Sequence, residues 1–358
     1  MTARSAFVHR LPGDPLQAAR ERMNEWHPHP LHGPKMVRKQ TNCYVDLWIE
    51  LLAYWGMDPH AALPFTVALD FEGDEITFFK FPAEDIERLY GVVVQEHSIF
   101  EPLETHIASQ LGRGGVMLVE VDAWHLPDTR GVAYQKQHTK TTIGIHAMNW
   151  SSRQIGYFHN SGYYFAEGAD YDGLLDTAGT ALLPPYVECA RRRYASLTGT
   201  NLRDASLSLM QWHLSRRPLA SPITAFGEAL ARDTKELVSR PMDYFHAYSF
   251  NTLRQLGANF ELLGHYLRWL NSTGPGTYEA MIAACDTIAS ESMVLEFRLA
   301  RACSNGKEDR GQSSIEVLER AYALLMGRLD EAFLPTRPVT VTNEAPGDSQ
   351  RSPAFVDR

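Results

Sequence analysis

The 358-residue sequence predicts an α+β domain followed by an all-α domain, on three observations. A helix with a broad apolar stripe opens near Asn42, where Leu47, Leu51 and Leu52 recur at helical spacing beside Trp48 and Trp55. Three strand candidates follow, Gly115 to Trp124, Thr141 to Met148 and Gln154 to Asn160, in the manner of an antiparallel set. From about Asn201 only helices are signalled: Leu253, Leu256, Phe260, Leu263, Leu267 and Leu270 step by three or four and line one face of a long helix.

Each element has a local reason. Residues 1–40 are rich in Pro and His and carry HPHPLHGP, which suits an extended arm. The helix at Asn42 is stopped by Gly56 and Asp58-Pro59. Two apolar runs between Phe65 and Phe81 flank Glu72-Gly73-Asp74 and read as a hairpin, the first run being open to a helical reading. PAEDIERLYG reads as a short capped helix, and Phe100 to Gly115 contains a second that ends at its glycines. The α+β domain therefore spans 41–195. The helical domain spans 196–335, with further helices at Ile223 to Val238, Thr277 to Ala302 and Ser314 to Phe333. Polar, proline-containing residues 336–358 read as a disordered tail.

Composition excludes several classes. A net charge of -9 argues against a nucleic-acid binder that works by bulk charge. No apolar run approaches a membrane span, and the start lacks a signal-peptide core, so a cytoplasmic protein without a membrane partner is expected. Cys43, Cys189, Cys285 and Cys303 form no CxxC pair, which argues against a disulfide framework or cysteine-rich zinc site. His27, His29 and His32 form HxHxxH, but prolines extend the segment and no nearby carboxylate completes a ligand set, so no metal is expected. A phosphate-binding Gly-rich loop is not visible either.

Chemistry concentrates at Cys43, in RKQTNCYVDLWIELL. A cysteine in the first turn of a helix meets unpaired N–H groups and the positive end of the helix dipole, which favour the nucleophilic thiolate. Thr41 or Asn42 can cap the helix, and Gln40 or Asn42 can add a donor to an oxyanion site. Taken alone, such a cysteine reads as a small core residue. A base alters that reading. His138 enters a strand and His159-Asn160 ends the next, so cysteine, histidine and a polar residue follow the chain order of a papain-like triad. In it His138 moves the proton, while Asn160 or His159 orients the imidazole. Alternation puts His159 and Asn160 on opposite faces, so only one can serve. His125 and His146 read as packed or structurally bonded residues.

TNCYVDLWIELL, GVMLVEVDAWHLPDT, QHTKTTIGIHAMN and IGYFHNSGYYFAEGADY together resemble the family related to butirosin biosynthesis protein H, over residues 35 to 190. That resemblance implies a papain-like fold and transfer of an acyl or aminoacyl group from a carrier protein's phosphopantetheine thioester, through a cysteine thioester, to a small-molecule amine or hydroxyl acceptor. It places the nucleophile at Cys43, the base at His138 with His146 in reserve, and the third member at Asn160 or His159, where relatives usually carry an acid. It implies no cofactor beyond the carrier's arm. Carrier proteins are acidic, so Arg38, Lys39 and Arg191 to Arg193 are the expected docking cations. Two other readings remain open: a papain-like peptidase, amidase or thioesterase, and a non-catalytic papain-fold binding protein.

Overall fold

The computed structural model describes residues 15–24, 26–34, 36–37 and 41–334, so Arg38, Lys39, Gln40 and the 336–358 tail lie outside the described residues. The arm is not extended throughout. Helix α1 (Pro15–Met23) forms because Leu16 and Ala19 pack on Ala147 of the sheet, and Pro30–His32 makes one 3-10 turn that buries Leu31.

Helix α2 (Cys43–Tyr54) begins where the sequence indicates, with Asn42 as its cap. Its Val45, Leu47, Trp48, Ile49, Leu51 and Leu52 are all buried, together with Asp46 and Glu50, so α2 is a central helix packed on every side. Instead of a hairpin, residues Pro59–Ala68 wind into 3-10 turns, and a single bridge joins Phe71 to Ile76. Pro64 within the first run, and the absence of a second long alternating run, explain the difference. Helix α3 (Ala83–Tyr90) ends at Gly91, whose φ of +65° and 2.5 Å approach of a would-be Cβ to the Tyr194 carbonyl leave room for glycine only.

The sheet is built from β1 (Val92–Glu96), β2 (Val116–Asp122), β3 (Lys140–Asn149), β4 (Gln154–His159), β5 (Gly162–Glu167) and β6 (Val187–Arg192). Helix α4 (Leu103–Leu111) precedes β2, and α5 (Gly168–Leu175) follows β5. The six strands run β1-β6-β2-β3-β4-β5, with every neighbouring pair antiparallel. A register shift between Ile145 and Ala147 leaves His146 bulged out of the β3–β4 ladder.

Alternate residues feed two cores. Val116, Leu118, Phe158 and Ala190 face α2 and the helical region, whereas Met117, Val119, Ile143, Ile145 and Tyr157 face α4 and α5. The helical region comprises α6 (Gly199–Ser215), α7 (Pro222–Ser239), α8 (Met242–Ser249), α9 (Gln255–Thr273), α10 (Glu279–Ser304) and α11 (Gln312–Phe333). A π-helical turn, Phe250–Arg254, leads into α9, the long helix marked by the leucine spacing. The fold is α+β, an antiparallel sheet with helices followed by a helical region, and no helix among the described residues is long and apolar enough to cross a membrane.

Candidate active site

Cys43 occupies the first position of α2 and is partly exposed. Its placement is enforced from both sides. Asn42 Oδ1 accepts the Val45 N–H at 3.0 Å, while Asn42 Nδ2 donates to the Phe79 carbonyl at 3.1 Å and to Gln255 Oε1 at 3.4 Å. The amide is thereby committed to holding the helix entry and offers no spare donor for an oxyanion. Upstream, Asp46 accepts both the Thr41 N–H, at 2.9 Å, and the Thr41 hydroxyl, at 2.6 Å. The Cys43 and Tyr44 N–H groups, by contrast, carry no hydrogen bond among the described residues, which is the pair of donors an oxyanion at the sulfur requires.

The direction of α2 decides which residues share its N-terminal end. Leu47 lies over Gly144, 3.3 Å from the position of a Cβ there, and Tyr54 stacks edge-on against His146 and Phe158. Helix and β3 therefore run the same way, and Cys43 faces the sheet end at which β3 begins. His138 stands just before that beginning. Its Nδ1 is 2.5 Å from Asp122 Oδ2, and its ring stacks on Trp124 at a centroid distance of 4.6 Å and an angle of 9°. Asp122 is itself fixed by the Trp124 and Thr139 N–H groups. Burial raises the Asp122 carboxyl, but the His138 bond and the two backbone donors outweigh it and leave the group below its ordinary value. An ionised Asp122 on Nδ1 sets the tautomer with Nε2 free, which is the form a general base needs.

The other expected partners are placed elsewhere. His159 is buried, with Nδ1 on Asp128 Oδ2 at 2.6 Å and Nε2 on the Thr141 hydroxyl at 2.9 Å, so neither ring nitrogen reaches His138. Asp128 also accepts the Tyr157 hydroxyl, which ties the 123–129 turns to β4. Asn160 occupies the two-residue turn between β4 and β5 at φ +47°, a left-handed conformation that asparagine tolerates. His146 lies at the Tyr54 end of α2, away from Cys43, and burial followed by the Arg22 charge lowers it to about 4. His125 packs against Gly173, where a Cβ would collide with its ring. Among the described residues no hydrogen bond joins Cys43 to any histidine. The orienter missed in the sequence is thus Asp122, which pairs with Lys140 across the β2–β3 ladder.

The basic residues also sort by end. Arg192 sits beside the Trp55 ring at 5.9 Å, which puts the Arg191 to Arg193 run at the C-terminal end of α2. At the Cys43 end the cations are Lys80, 4.8 Å from the Tyr44 ring, and Lys140, paired with Glu120 at 2.8 Å. Tyr44 in turn donates to Glu188.

HxHxxH is divided between two clusters. His32 bridges Glu50 at 2.5 Å and Asp46 at 3.2 Å, while His29 lies with Asp58 and His60. Burial opposes the His32 cation, but its bonds to Asp46 and Glu50 prevail and raise it to about 9.

Residues 27–192 match the DUF1839 N-terminal domain, and residues 199–331 match the DUF1839 C-terminal domain. No curated protein matches the chain.

Proposed function

From a chain that carries the two DUF1839 domains in succession, we propose a cysteine acyltransferase with a papain-like catalytic region. It takes an acyl or aminoacyl group from a carrier protein's phosphopantetheine thioester and passes it to an amine or hydroxyl acceptor in cytoplasmic natural-product assembly. One observation carries this reading: Cys43, with two N–H groups free of partners, points to the sheet end where His138 is held by Asp122. In the reaction the Cys43 sulfur attacks the thioester carbonyl, and the Cys43 and Tyr44 N–H groups receive the oxyanion. Collapse expels the pantetheine thiol, protonated by His138. The acceptor then attacks the Cys43 thioester, gives its proton to His138, and releases the cysteine. His138 must approach Cys43 for these transfers, which its exposed position ahead of β3 permits.

The test is incubation with an aminoacylated carrier protein. Intact mass is expected to show an acyl adduct on the wild type and none on Cys43→Ala. Equal transfer by Cys43→Ala overturns the mechanism. A second reading, a cysteine hydrolase, draws on the 71% exposure of the His138 side chain, which admits water to the base. Product analysis with and without an amine acceptor separates the two. A chain that forms neither adduct nor product under any acceptor is a non-catalytic binding protein.

A further inference from the structure

At the opposite end of α2, the arm folds back over the 3-10 turns that follow the helix. There His29, Asp58 and His60 each bring one donor atom within 4.8 Å of the others. His60 Nδ1 is 2.7 Å from Asp58 Oδ1, and the His29 and His60 rings meet edge to face at 5.2 Å. We propose that these three residues bind one divalent transition-metal ion of the zinc class, fastening the arm to the junction between the two matched regions.

The donor set is chemically apt. Two imidazoles and one carboxylate are borderline ligands that suit Zn2+, Fe2+ or Co2+ better than Ca2+ or Mg2+. A tetrahedral zinc site has metal–nitrogen bonds of about 2.0–2.1 Å, which set donors roughly 3.3 Å apart. Small side-chain rotations bring the cluster to that spacing. Asp58 is already oriented from outside the set, since Trp269 Nε1 donates to its Oδ2 at 2.8 Å and Tyr90 donates to its carbonyl at 2.6 Å. Such outer bonds are what fix a ligating carboxylate in established metal sites.

Access and vacancy are both provided. The Asp58 side chain is 42% exposed and that of His60 20%, so an ion can enter from solvent. Three protein donors leave a coordination position for water or for His265 of α9, which makes no hydrogen bond among the described residues and interacts electrostatically with His29 and His60. The opposing term is small. His29 Nδ1 accepts the Leu31 N–H at 3.2 Å, and coordination through either ring nitrogen removes that acceptor. One long backbone bond is exchanged for a metal–nitrogen bond.

The site is independent of the cysteine. Twelve helical residues separate the two ends of α2, about 17 Å along the axis. Full-length protein without an affinity tag, stripped with EDTA, is titrated with Zn2+ by calorimetry and its melting temperature is followed in parallel. The expected result is one ion per chain and a rise in melting temperature. His60→Ala and Asp58→Asn should each weaken binding by about a hundredfold or more, and Trp269→Phe by about tenfold. His27→Ala, on an exposed residue of the same segment, and Cys43→Ala should bind as the wild type does. Absence of saturable uptake by the wild type overturns the proposal. So does equal affinity in His60→Ala and Asp58→Asn, checked for folding by their melts without metal.

Discussion

Asn42 makes three hydrogen bonds at a site only 3% exposed, and each of them fixes the backbone next to Cys43. Replacement by alanine removes a helix cap and strips the buried Phe79 carbonyl of its donor. Asn42→Ala is therefore expected to lower stability by about 2 kcal/mol, at the upper end for a cap, as read from urea unfolding. A loss near zero would mean that the cap is dispensable. Asp122 makes the corresponding prediction for the proposed chemistry. Asp122→Asn keeps the side-chain volume but no longer favours the His138 tautomer with Nε2 free, so transfer should fall by about 10²–10⁴-fold with the Trp124 stack intact. Asn160→Gly, at a left-handed turn that glycine adopts readily, should leave the rate unchanged. The reverse pattern would return the orienting role to the turn.

At the scale of elements, α2 is the part the others are arranged around, and His32 is what fastens the arm to it. The imidazole is 2% exposed and spans Asp46 and Glu50, both fully buried. Its folded value of about 9 exceeds the ordinary 6.5, so its contribution is complete below pH 6.5 and is lost as pH rises through about 9. The shift corresponds to about 3 kcal/mol. The stability difference between wild type and His32→Gln should therefore be large at pH 6 and shrink by that amount at pH 9.5, measured by denaturant midpoints. A difference independent of pH would show that His32 acts as a neutral packing residue. This network also marks the limit of what sequence discloses. The α2 start is legible because its cap and first turn are adjacent in the chain, and β2, β3 and β4 are legible from their apolar runs. The partners of those elements are not. Asp122 meets His138 only through the β2–β3 register, and Asp58 and His60 meet His29 only once the arm folds back. Strand β6 ends in Cys189-Ala190-Arg191-Arg192, which reads as a charged linker, yet it inserts between β1 and β2.

Over the whole molecule the question is whether the two matched regions fold as one unit. Their contacts are polar as well as apolar, and several are buried. Ser206 of α6 donates to the Ala61 carbonyl at 2.7 Å, Asn259 of α9 donates to that of Thr66 at 2.8 Å, and the Ile76 N–H donates to the Asn251 carbonyl at 2.9 Å. His213 of α6 pairs with Asp85 of α3 at 2.7 Å, and Phe71 packs edge-on against Phe226 of α7. One apolar cluster runs from Leu47 and Trp48 through Leu63 and Phe65 to Leu256, Phe260 and Leu267. Separating the halves would leave the Thr66 and Ala61 carbonyls without donors and would bare the outer face of the 3-10 segment, each orphaned group costing about 1–3 kcal/mol. That exceeds what a domain-sized stability of about 5–15 kcal/mol can absorb once the lost apolar burial is added. Full-length protein is therefore expected to melt in a single calorimetric transition, and residues 196–335 alone should lack a dispersed NMR spectrum. Two separate transitions, or a folded helical fragment, would show that the boundary near residue 195 divides independent domains instead of two parts of one core.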